Sequence, residues 1–184
     1  MATAVLKRLR EDHVRLARVM RVLEREVDSL DVNDLTDYPL LSAIVEYVRT
    51  YSDAVHHPTE DQVFDQLLHK GLTPAERYVV YLNLGKHQEI NETSRKLQDK
   101  IDSILRGDVL PVENLLEDIR QHLLQQRKHI AFEELHLFPL VESRLNHADW
   151  ILIDEELMLS PDPLFDSNLE EFRVLYEYII KAER

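Results

Sequence analysis

The chain contains no cysteine. That removes disulfides, thiolate catalysis, thiolate-ligated zinc and protein-ligated iron–sulfur clusters together, so any metal must be held by histidine and carboxylate. Glycine is nearly as scarce: 3 glycines and 7 prolines in 184 residues are too few of the punctuators that hairpins and sandwiches need. No stretch approaches the roughly 20 consecutive apolar residues of a membrane span. The opening MATAVLKRLREDH lacks the apolar core of a signal peptide, and a cytoplasmic protein with no membrane partner is expected. Basic charge is also short, with 22 Lys and Arg against 35 Asp and Glu and a formal net charge of −13. Such a surface repels a phosphate backbone, so nucleic acid is not an expected partner.

What is present is helical pattern. Apolar residues make up 44% of the chain, enough for one continuous core. In the first thirty positions Leu6, Leu9, Leu16, Met20, Leu23, Val27 and Leu30 recur at steps of three and four, with His13 in the missing place. A second run carries Leu41, Ile44, Val48, Val55, Val63 and Leu67 and stops at Lys70 and Gly71. Thr73, Pro74 and Glu76 read as a capping box opening a third helix through Val80, Leu84, His87, Ile90, Leu97, Ile101 and Ile104, closed by Gly107. A fourth begins near Pro111 and runs through Leu115, Ile119, His122, His129, Glu133 and Leu140 to about Leu145.

The expected fold class is all-α, an antiparallel up-down-up-down four-helix bundle over residues 1–145 with a C-terminal extra helical segment. The tail, 146–184, ends in an amphipathic segment from about Asn168 to Lys181. Trp150, Phe165, Phe172 and Tyr176 are too apolar to leave in water, so the tail is expected to pack on the bundle or to make a homo-oligomer contact. Pro58 and Pro139 fall inside helices, where each costs about 3 kcal/mol or forces a kink.

The polar residues of the inward stripes repeat. His56 follows His13 by 43 residues and His129 follows His87 by 42; Glu60 and Glu133 each come four after the preceding histidine. The halves are offset by 73 or 74 residues, as in a duplicated helical hairpin. A rise of ~1.5 Å per residue brings all six to one level along four antiparallel helices, and a spacing of four stacks the His and Glu of HxxxE on one face. Two carboxylates buried together are costly unless neutralised, and a pair of divalent ions reverses that. Two bridging carboxylates and two histidines per ion leave positions open on each. A sulfur-free set of this kind suits iron, or manganese, better than zinc.

The stretches DHVRL around His13, HHPTEDQVF, GKHQEI around His87 and HIAFEELHLFP resemble the hemerythrin-like, HHE cation-binding family over residues 1 to about 145. The resemblance implies a non-haem di-iron centre, two bridged iron ions held by His13, His56, Glu60, His87, His129 and Glu133. It implies a protein that binds, senses or reacts with O₂, peroxide or nitric oxide, or senses iron, more a metal- and oxygen-binding protein than a dedicated enzyme. Oxygen-carrying members have a second histidine one turn after the ligand of the third helix. Asn91 stands there in this chain, which leaves one ion shorter of imidazole and favours sensing, redox or iron handling. The alternative from another class is a metal-stapled interaction module without redox activity.

The other histidines and carboxylates have plainer readings. His57 points about 100° from His56 and reads as surface or as a support behind the ligands, while remaining the one alternative register. Asp61 and Glu134, five residues after their histidines, leave the ligand face but stay candidates. His122 and His136 read as core histidines bonded to backbone carbonyls, and His69 and His147 as solvated. Tyr47 and Tyr51 read as packing, with a phenol donor to the bridge as the sharper option.

Overall fold

The computed structural model describes residues 4–33, 37–157, 160–167 and 169–182, and every regular element among them is helical. Asn168 and the side chain of Leu30 lie outside the described residues. Helix α1 is Ala4–Asn33. Helix α2, residues 38–68, is continuous but changes its winding: α-helical over Tyr38–Tyr47, π-helical over Val48–His56, α-helical again over His57–Leu68. Helix α3 is Pro74–Leu105. Helix α4, residues 112–144, repeats the pattern of α2 with Val112–Phe132, a π-helical turn Glu133–Leu137, and Phe138–Arg144. Two short helices follow, α5 at His147–Glu156 and α6 at Arg173–Ala182.

Local chemistry sets these ends. The Asp37 carboxylate accepts from the Leu40 N–H at 2.9 Å. Thr73 and Glu76 form the reciprocal box, Glu76 N–H to Thr73 Oγ1 at 3.2 Å and Thr73 N–H to Glu76 Oε2 at 2.7 Å. Gly107 sits at φ 97°, the left-handed position that ends a helix and suits glycine.

The two internal prolines do not break their helices. A proline has no N–H for the carbonyl four residues back, and in both cases the residue before it reaches one residue further. The His57 N–H bonds to the Ser52 carbonyl and the Phe138 N–H to that of Glu133. Each proline is thus answered by a π turn, and the turns contain His56 and Glu133. Such turns are rare and occur often at functional sites.

Helix α1 packs against α2 and α4, and α3 packs against the same two, so the four long helices form a bundle. Arg10 reaches Glu142 at 3.0 Å and Arg127 reaches Glu24 at 2.8 Å, between α1 and α4. Gln98 reaches Ser42 at 3.0 Å between α3 and α2.

The core is two apolar blocks with a polar slab between them. One block holds Leu16, Val19 and Leu23 with Leu41, Ile44, Leu97 and Ile119; the other holds Leu6, Leu9, Val63, Phe64, Phe138 and Val141. Burying each such side chain stabilises the fold by about 1.5–3 kcal/mol. The tail joins both blocks, Leu164, Phe172, Leu175 and Ile179 in the first and Trp150 and Ile153 in the second. Phe165 and Tyr176 pack partly buried on the first. Among the described residues no helix is long and apolar enough to cross a membrane.

Candidate metal centre

The slab gathers the six side chains expected from the sequence, one histidine from each long helix and both carboxylates. All six are buried, Glu60 and Glu133 to 0% exposure. The carboxylates straddle the slab. Glu60 Oε1 lies 3.4 Å from His13 Nε2 and 3.5 Å from His56 Nε2, while its Oε2 lies 3.4 Å from His87 Nε2. Glu133 does the reverse, with Oε2 at 3.3 Å from His13 Nε2 and Oε1 at 3.2 Å from both His87 Nε2 and His129 Nε2. Each carboxylate therefore offers one oxygen to a His13 and His56 side and the other to a His87 and His129 side.

The outer ring nitrogens have separate partners. His13 Nδ1 donates to Glu134 Oε1 at 2.9 Å, His87 Nδ1 to Asp61 Oδ1 at 2.6 Å, and His56 Nδ1 faces Asp12 Oδ2 at 3.4 Å. A carboxylate on Nδ1 keeps a proton there and leaves Nε2 as the nitrogen that a cation would take in place of a proton, as in a metal-binding histidine. Asp61 and Glu134 thus support rings of other helices, and their side chains stay 44% and 33% exposed.

His57 corrects the sequence reading. It is buried, its ring stacks on His87 with centroids 4.4 Å apart, and with Glu60, His87 and His129 it forms a group able to hold an ion; His13, His56 and Glu60 form a second. The π turn is the cause. Its wider winding, closed by the His57 N–H to Ser52 carbonyl bond, turns His56 and His57 inward together, their rings 5.8 Å apart. The Asn91 side chain lies 3.1 Å from His57 Nδ1. With its oxygen there, Asn91 accepts the Nδ1 proton and frees Nε2; with its nitrogen there, it also reaches the His87 carbonyl at 2.9 Å and Asp53 at 3.3 Å.

Electrostatics divides the rings. Burial disfavours the charged form of His13 and His87, but the facing carboxylates outweigh it. His13 is raised well above the ordinary value by Glu133, Glu134 and Glu60, and His87 is raised to about 11 by Asp61, Glu133 and Glu60. His57 and His129 are lowered, burial being the largest cause in each. Burial also pushes the two carboxyls up, and Glu60 pushes on Glu133, yet the surrounding imidazoles hold both below the ordinary range. The pocket thus presents ionised oxygens and imidazole nitrogens that favour positive charge between them.

A family model, the hemerythrin HHE cation binding domain, matches residues 4–146. The chain belongs to that family. Neither a curated protein nor a solved structure gave a match to it.

The donor set fits the cation that the HHE family name implies. His13 Nε2, both oxygens of Glu60, both nitrogens of His129 and Glu133 Oε2 are buried without a hydrogen-bond partner, although several lie within 3.5 Å of one another. Polar atoms left this way cost about 1–3 kcal/mol each, and a bound cation converts that cost into coordination.

Beyond the motif, the structure adds residues that sequence spacing missed. Asn83, fully buried, donates Nδ2 to Glu133 Oε1 at 2.7 Å and sits 3.2 Å from His87 Nε2. Its only signal was its place one turn before His87. A cleft of about 760 Å³ between α3 and α4, walled by Leu82, Lys86, Leu124 and Phe132, reaches Asn83 and His129. His122 is buried with Nδ1 unpartnered rather than bonded to a carbonyl. His136 is exposed, and so are His69 and His147 as expected. The Tyr47 and Tyr51 hydroxyls donate to Asp162 at 3.0 Å and Asp12 at 3.1 Å, away from the ligand nitrogens.

Proposed function

We propose that the chain is a hemerythrin-type non-haem di-iron protein that binds, senses or reacts with O₂, peroxide or nitric oxide. Two iron ions would share Glu60 and Glu133, with His13 and His56 on one side and His87, His129 and His57 on the other. The observation that carries the reading is the partition of ring nitrogens: Nδ1 of His13, His56 and His87 faces an outer carboxylate, while the Nε2 atoms converge on two split carboxylates. The all-nitrogen and oxygen donor set favours iron or manganese over zinc. Antiparallel order of the four helices, and a bundle ending near residue 145 with a sealing tail after it, belong to the same proposal. They are supported by the pairs Arg10–Glu142 and Arg127–Glu24, whose numbers run in opposite directions.

The bound pair would supply one-electron steps toward a small oxidant. The chain's own part is positional. Phe64, against His87, and Phe138, against His13, both fully buried, exclude water from the slab, and Asn83 holds Glu133 in place. The cleft ending at His129 gives small molecules their approach. Counting His57 makes good the imidazole that Asn91 does not supply, so the shortage expected from Asn91 no longer argues against carriage.

Stopped-flow mixing of ferrous protein with O₂ and with peroxide tests this. One long-lived spectral species in O₂ indicates binding, and repeated consumption indicates turnover. No spectral change, with iron raising only the unfolding temperature, would replace the proposal by the metal-stapled interaction module.

A further inference from the structure

The described residues after the family match close over the bundle with buried charge as well as apolar surface. Asp162 is fully buried. Its Oδ1 accepts from the N–H groups of Leu164 and Phe165 at 2.9 and 3.1 Å, and its Oδ2 accepts from the Tyr47 hydroxyl at 3.0 Å and from Arg15 at 3.4 Å. Four residues on, Asp166 pairs with Arg15 Nη2 and with Arg8 Nη1, each at 2.7 Å. Leu164, Phe172, Leu175 and Ile179 fix the same segment in the apolar block beneath α1 and α2.

Arg8 does not stop at Asp166. It donates Nε to Asp12 Oδ1 at 2.8 Å and Nη2 to the Tyr51 hydroxyl at 2.6 Å, and that hydroxyl donates to the same Asp12 oxygen at 3.1 Å. With Oδ1 held twice, Asp12 is left to present Oδ2 to His56 Nδ1 at 3.4 Å. A continuous run of polar contacts thus joins Asp166, Arg8, Asp12 and the imidazole of His56.

We propose that the C-terminal segment, residues 160–167 and 169–182, is a positioning element of the metal centre that sets the His56 ring through Asp166, Arg8 and Asp12. The inference rests on the metal-binding reading above and adds to it a task for residues that the family match does not cover. Ordering Asp12 favours one tautomer and one rotation of His56, which lowers the cost of cation binding on its side. Coupling of this kind is reciprocal, so a cation bound at His56 also favours the seated tail. The effect is confined to the His56 ring. Glu134, behind His13, is held by Arg10 at 3.3 Å, and Arg10 also pairs with Glu142 inside the bundle. Asp61, behind His87, pairs with that ring from a side chain that is 44% exposed.

The test uses the full chain, ferrous iron under anaerobic conditions with a chromophoric chelator as competitor, and hydrogen exchange over residues 160–182. Asp12→Asn should weaken one of the two iron affinities by about 10–100-fold. Asp166→Asn should weaken the same one by less, and Arg173→Ala, whose exposed side chain pairs within the tail with Glu170 and Glu177, should change neither. Exchange over 160–182 should slow when iron binds the unaltered chain and should respond less in Asp12→Asn. If Asp12→Asn fails to fold, Asp166→Asn at its partly exposed site carries the test. Folded variants with both iron affinities unchanged, or tail exchange indifferent to iron, would overturn the positioning role while leaving the di-iron reading intact. An unaltered chain that binds no iron would remove both.

Discussion

The two sides of the polar slab share their carboxylates but are closed differently. Behind His13 and His56 stand Glu134 and Asp12, and Phe138 lies flat on His13 with ring centroids 5.3 Å apart. Behind His87 stands Asp61, behind His57 the amide of Asn91, and behind His129 no hydrogen-bond partner among the described residues. The cleft between α3 and α4 opens at that last ring. A pair of ions held here would have an enclosed member beside His13 and His56 and a second beside the cleft at His129. The same six-residue motif therefore gives unequal halves, and the inequality comes from residues outside the motif.

Substitution of the shared and unshared ligands should break the comparison most strongly. Because Glu60 faces both sides, Glu60→Ala should leave almost no iron by elemental analysis. His56→Ala and His129→Ala should each remove roughly one ion, and from opposite sides. Loss of both ions from either histidine variant would mean that the sides are not separable.

The enclosed side should also be the more costly to loosen. Phe138 is fully buried and Phe132, at the cleft, only partly. Phe138→Ala should lower the unfolding free energy by about 3–5 kcal/mol, measured by urea titration, and Phe132→Ala by less than half as much. Equal losses would show that the cleft wall is packed as tightly as the closed face.

A smaller effect concerns pH. Two turns before His129, on the open side's own helix, His122 is held neutral by burial, its pKa pushed down to about 4 from the ordinary 6.5. The sign follows from the depressed value: the fold favours neutral His122, so the stability tied to it is complete above about pH 6.5 and is lost as pH falls toward 4. A shift of that size corresponds to about 3 kcal/mol. His122→Leu should flatten the stability curve between those pH values relative to the unaltered chain. Parallel curves would place the acid sensitivity elsewhere.

Much of this was legible in the sequence because helical period and ligand spacing obey one rule. His13, Glu60 and the other four share a face and a level through rise and pitch alone, and the Thr73 box and Gly107 fix helix ends by local chemistry. The surface option for His57 failed because a neighbouring residue is about 100° away only in an α-helix, and Pro58 replaces that winding with a π turn that leaves His57 buried. Asp12 and Asn83 were missed for a different reason. A single polar residue beside a ligand has the same sequence signature as a solvated helix face. The link from Asp162 to Tyr47 spans 115 residues, and no periodicity within either segment announces it.

The claim on which the rest depends is that Glu60 and Glu133 hold two cations between them. X-ray absorption at the iron edge of the unaltered, iron-loaded chain measures this directly. The expected result is a shell of nitrogen and oxygen neighbours without sulfur, together with scattering from a second iron within about 4 Å. A single isolated iron, or none bound under iron-replete conditions, would contradict it.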